Sequence, residues 1–160
     1  MMDNFDIPND IVFNPKPDAI PYNYRISYKV SQICLIMHIC GRSSTCSLIK
    51  LHIISYALLS KDYMDVVLNF SNKQSDSVIV HFDPAVSRAI DYAIAYGFVK
   101  QQTNEKYKLT VQGQNFAKRI MMAQDIMTSE ISDLTELSKK LSEKQIEDLV
   151  ERWRLLYAKD

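Results

Sequence analysis

The side chains best suited to chemistry in this chain are cations. Arg42, Lys50, Arg88, Lys100, Lys106, Lys108, Lys118 and Arg119 fall in its middle, where they can neutralise phosphates or meet an acidic protein surface. The overall charge is zero, 19 basic against 19 acidic residues, so this basic middle is balanced by acidic ends. Residues 22–60 hold Arg25, Lys29, Arg42 and Lys50 and no acid. Lysines on an edge hairpin also serve simply to stop it pairing with neighbours. Acid–base and metal chemistry find less to work with. His38 and His52 lie in helical stretches far from any paired acid or cysteine, which favours structural roles. Cys34, Cys40 and Cys46 are an odd set without a Cys-x-x-Cys pair, so they read as buried small hydrophobes rather than a disulfide or zinc framework. Three glycines leave little room for a phosphate-cradling loop. No enzyme activity, no metal and no cofactor is expected.

The elements that position the cations centre on residues 83–116. Asp83 before Pro84 predicts a helix start, and Val86, Ala89, Ile90, Ala93 and Ile94 recur at helical spacing. Gly97 stops the helix. Phe98–Gln101 and Tyr107–Thr110 read as strands around a turn at 103–106, and Thr110 caps a further helix containing Gly113. Helix, glycine stop, hairpin and Leu-Thr-x-x-Gly resemble the end of a winged-helix domain, with the first helix in the recognition position. Its outward candidates, Ser87, Arg88 and Asp91, are poor readers of bases, since Asp repels phosphate and one Arg supplies at most one bidentate guanine contact. The wing lysines suit nonspecific phosphate contact instead.

A chain of 160 residues, 47% hydrophobic, fits one domain with terminal additions. The expected class is mainly α with a small antiparallel sheet (α+β): a winged helix-turn-helix at 22–123, an extended arm at 1–21 and a helical extension at 124–160. Pro8, Pro15, Pro17 and Pro21 forbid a long helix in the arm, and Phe5, Ile11 and Phe13 suit it to packing on the domain or a partner. Helices are predicted over Tyr24–Cys40, from a Thr45 or Ser47 cap to about Leu59, over Asp62–Phe70 and over Thr128–Leu141. Ser142–Gln145 is a capping box opening a last helix, which carries Trp153 and Tyr157. Val78–Phe82 is expected to be the first strand, pairing with the wing. With Tyr22, Trp153 and Tyr157 complete the expected protein-interface set. No apolar run approaches the ~20 residues of a membrane span, and the acidic N-terminus does not read as a secretion leader, so a cytoplasmic location is expected.

Several segments together resemble one family: Pro21 to Ser60 with Gly41-Arg42 and Ser47–His52, the Phe82-Asp83-Pro84 stretch, and a last helix with Glu151-Arg152-Trp153-Arg154. The chain looks like the small middle component of bacterial three-component ABC systems, a group that includes the Lamassu-type antiphage systems. Ser43–Ser44 depart from its pattern, which has a second arginine and a glycine there. The resemblance implies a non-enzymatic accessory subunit linking an SMC-like ATPase to an effector, commonly a nuclease, with nonspecific contact to double-stranded DNA. It implies no membrane partner and leaves room for a homodimer in isolation. The alternative is a dimeric winged-helix transcriptional regulator using Arg88 and Lys106 on an operator.

Overall fold

The computed structural model describes residues 22–158. The expected arm at 1–21, with Phe5, Ile11 and Phe13, lies outside the described residues. In chain order the elements are α1 (Tyr22–Cys40), β1 (Thr45–Ser47), α2 (Leu48–Ala57), α3 (Lys61–Ser71) and α4 (Pro84–Ala95). There follow β2 (Val99–Gln101), β3 (Lys106–Leu109), α5 (Val111–Ala123), α6 (Thr128–Leu137) and α7 (Glu143–Tyr157). The protein is therefore mainly helical with a small antiparallel sheet.

Helix α1 is the hub. Ile33, Cys34, Leu35, Ile36 and Met37 are five successive residues with no exposed surface, which covers every direction around a helix of 3.6 residues per turn. The helix is thus sheathed on all sides, by α2, α4, α5 and α6. Gln32 is buried with it, and its side-chain oxygen accepts from Lys29 Nζ at 3.0 Å and Ser55 Oγ at 3.2 Å. These bonds replace water at the oxygen, whereas the buried amide nitrogen of Gln32 has no hydrogen-bond partner among the described residues.

The caps form where their sequence signals stand. Ser47 accepts from the Lys50 amide at α2, Asp83 from Ala85 at α4, and Thr110 from Gly113 at α5. Ser142 and Gln145 cap α7 reciprocally. Gly97 holds φ +80°, and a Cβ at Gly113 would lie 2.1 Å from the Phe98 carbonyl oxygen, so only glycine lets α5 pass so close to the hairpin.

The sheet order is β1-β3-β2, with Thr45 opposite Lys108 and Lys108 opposite Lys100. This corrects the expectation for Val78–Phe82, which is not a strand. Thr45–Ser47 occupies the place beside β3 instead, delivered there by a tight turn after α1. A second correction shortens the helix expected over 128–141. It ends at Leu137 because Ser138 leaves helical geometry with φ 51° and ψ −138°. Leu141 is still buried, outside the helix. The segment expected as an extension adds Leu134, Leu137, Leu141, Ile146 and Leu149 to the same core as α1.

The turn into β1 is strained. Ser43 and Ser44 hold φ values of 53° and 57°, with the Thr45 amide bonded back to the Arg42 carbonyl at 3.1 Å. Two successive positive φ values are the mark of a type I′ turn, which prefers Asn-Gly. Ser44→Gly should therefore raise stability by about 1 kcal/mol, read as a higher urea midpoint at unchanged slope.

Candidate functional site

The expected cations are dispersed, and one is removed from the set. Lys50 is only 2% exposed, and its Nζ donates to the Cys40 carbonyl at 2.8 Å. Its ammonium satisfies a carbonyl that the end of α1 leaves unpaired, so it is a structural cation and not a surface contact. The sequence counts it among the contact cations of the basic middle, but the turn at 41–47 brings the start of α2 back to the end of α1. Lys106 is half-buried and pairs with Glu147 of α7 at 3.8 Å. Arg119 lies over the Phe116 ring, 5.9 Å from its centre. Lys118 is exposed near His38, whose pKa is lowered by burial and then by the Lys118 and Lys139 charges.

The remaining cations gather in three places. Lys100 and Lys108 stand directly opposite each other across the hairpin, both exposed. Like charges so paired are mildly destabilising, a cost that contact with a polyanion would offset. Arg42 shares a small groove of about 260 Å³ with Lys139 and Lys144. Arg88 joins Arg25 and Lys29 in a larger groove of about 470 Å³ between α1 and the start of α4, with Ile26 and Leu59 as its apolar part. The outward face of α4 carries Ser87, Arg88, Asp91 and Ala95, as the spacing predicted for its first three, and also Ile94, which the spacing had placed with the apolar residues.

Beside that groove runs the segment 78–83, held in place by His52, expected to be structural, and by Tyr56 and Tyr63, to which no sequence signal gave a role. Tyr63 donates its hydroxyl to the Ile79 carbonyl. His81 stacks on Tyr56 with ring centres 3.9 Å apart, and Tyr63 meets both rings edge-on. The Asp83 amide donates to His52 Nδ1 at 3.3 Å, and Phe82 rests against the His52 ring. Burial pushes the Tyr63 hydroxyl up to about 12, so it stays a donor at neutral pH. The clamp fixes the backbone while turning Ile79 and Phe82 outward, 72% and 63% exposed, with Leu59 also out at 65%. Leu59 lines the groove of Arg25 and Arg88, and the segment bearing Ile79 and Phe82 runs into Asp83 on its edge; exposed large apolar side chains suit contact with another protein. The segment's trace in the sequence is the β-branched run Val78–Phe82, which reads as a strand pairing with the wing.

The thiols of Cys34, Cys40 and Cys46 are fully buried, and burial pushes each up to about 12. They are packing groups, as expected. Of the anticipated interface residues, Tyr22 opens α1, Trp153 is half-buried on α7 and Tyr157 is exposed. Comparison of the chain with protein-family models, curated proteins and solved structures gave no match.

Lys50→Met keeps the stem of the side chain but leaves the Cys40 carbonyl unpaired, so it should destabilise by roughly 1–3 kcal/mol in urea titration. A second expectation concerns acid. Burial, outweighing the opposing Asp83 charge, holds the His52 pKa below its ordinary 6.5, with the Lys29 charge lowering it further. Below that pH the unfolded chain takes up a proton that the native imidazole refuses, so stability contributed above 6.5 is lost as pH falls. The drop in urea midpoint between neutral pH and mild acid should be smaller in His52→Gln, His38 supplying part of what remains.

Proposed function

We propose that this protein is a non-enzymatic assembly subunit of a cytoplasmic complex, joining an SMC-like ATPase to an effector protein, with DNA touched only nonspecifically. The observation that carries the reading is the outward presentation of Ile79 and Phe82 by the clamped segment 78–83, together with exposed Leu59 in the groove of Arg25 and Arg88. The residues that could have done other chemistry have structural occupations. Lys50 caps α1, His52 accepts from a backbone amide, and the cysteines fill the core.

The order α1, β1, α2, then α4, β2, β3, with β1 seated next to β3, supports a winged-helix origin. Helix α3 and the segment to Asp83 stand where a simple helix-turn-helix has a short turn, and they supply the clamped surface. A winged helix whose α4 offers one arginine and one aspartate outward suits partner contact better than base reading. The resemblance of its sequence to the middle component of three-component ABC systems points to the same role.

Affinity purification of the tagged protein from its native host, with mass spectrometry and a check for DNA, tests this. A large coiled-coil ATPase should co-purify, and Ile79→Asp with Phe82→Asp should lose it while the urea midpoint stays nearly unchanged. If the protein instead comes out alone, shifts one DNA fragment at physiological salt and loses that binding in Arg88→Ala, it is a transcriptional regulator.

A further inference from the structure

The small groove at the end of α1 gathers cations from four separate parts of the chain. Arg42 comes from the turn after α1, Lys50 from α2, Lys139 from the segment after α6, and Lys144 from the first turn of α7. Glu143 is the one acid among the lining residues, and its carboxylate accepts from the Ser47 amide at 2.9 Å. Lys144 pairs with Asp148 at 3.2 Å, an exposed contact worth little. Arg42 and Lys139 are exposed and have no carboxylate partner among the described residues.

Lys50 gives this imbalance its weight. Its ammonium has three N–H donors, lies in a side chain only 2% exposed, and bonds to the Cys40 carbonyl. A buried charge ordinarily has a counter-charge, because desolvation is costly without one. Among the described residues no carboxylate stands within ion-pairing distance of Lys50. His38, in the last turn of α1, reports the same field: burial lowers its pKa, and the Lys118 and Lys139 charges lower it further. We propose that the groove holds a phosphate group, its oxygens accepting from Arg42, Lys139 and Lys144, while the buried Lys50 ammonium gains the counter-ion it lacks. The guanidinium fork of Arg42 matches two phosphate oxygens at once. Ser142 and Gln145 already close the first turn of α7, so the site rests on side chains and not on the helix end. Its size points to a single phosphate group: the groove measures about 260 Å³, below the roughly 300–1,000 Å³ of sites that enclose whole small molecules. The phosphate is either a free anion or one of a nucleic-acid backbone. The second source would seat the nonspecific DNA contact of the proposed function and rests on that reading, whereas the first stands without it. Neither uses the clamped segment 78–83.

Titration of sodium phosphate into the full chain, at constant pH and with ionic strength held by chloride, tests the site. The NMR amide signals of Arg42, Lys139 and Lys144 should shift saturably in the millimolar range, and the thermal midpoint should rise with them. Lys139→Ala with Lys144→Ala should weaken that binding about tenfold or more while leaving the midpoint in chloride unchanged, because both side chains are exposed and each loses a charge-assisted bond only to the anion. Fluorescence anisotropy with a labelled duplex of mixed sequence separates the two sources. For a backbone phosphate, the double variant should lower the slope of log affinity against log salt by about one or two, and inorganic phosphate should compete. For a free anion, duplex binding should be the same in both proteins. Wild-type signals that respond to phosphate no more than to chloride would overturn the inference. So would a phosphate response that the double variant keeps.

Discussion

Burial of α1 on every side is the constraint on which the other elements depend. An α-helix satisfies its own backbone, so it can be sunk into a core, but its ends and its polar side chains then call for partners from elsewhere, which most but not all of them find. The solutions are specific. Lys50 folds back to the Cys40 carbonyl, Gln32 is held by Lys29 and Ser55, and Tyr28 near the entry of α1 bonds to Glu130 of α6. Lys50 and Ser55 tie α2 to the hub and Glu130 ties α6 to it, and the core around Ile33 reaches residues as distant as Leu134 and Leu149. The same demand explains the turn at Ser43–Ser44. The chain must leave the end of α1 and reach β3 within a few residues, and two serines accept a left-handed backbone to do it.

What the core does not use becomes available for contact. The segment 78–83 lies over the α2 and α3 side and is pinned by aromatic rings, so its apolar side chains are presented rather than hidden. The cations are spread over separate places, with one pair on the hairpin and one cluster by the start of α4. Such a distribution suits a body that meets several surfaces at once better than a single groove for one ligand.

Much of the local structure was legible in the sequence because its signals act over three or four residues. Asp83-Pro84, Gly97, Thr110 and Ser142–Gln145 each carry their own cap or stop, and they stand where expected. What failed depended on distant partners. Val78–Phe82 has the composition of a strand, but the place beside β3 is taken by Thr45–Ser47, whose three residues also read as a helix cap. Lys50 looked like a surface cation because nothing in its neighbours announces the Cys40 carbonyl. The Tyr56, Tyr63 and His81 cluster joins two helices and a loop, so no spacing rule could assemble it. Most of the exposure of α4 was readable from its periodicity, Ser87, Arg88 and Asp91 facing out and Val86, Ala89, Ile90 and Ala93 facing in, but Ile94, expected on the apolar stripe, is exposed.

The segment Val-Ile-Val-His-Phe has a consequence for how this protein is made. Strand-forming, uncharged and free of proline, it is the type of sequence that nucleates cross-β aggregation when exposed. Its restraints come from α2 and α3, which precede it in the chain, so a nascent polypeptide emerging from the ribosome already holds Tyr56 and Tyr63 when the segment appears. The order of synthesis therefore supplies the partners of the segment before the segment itself.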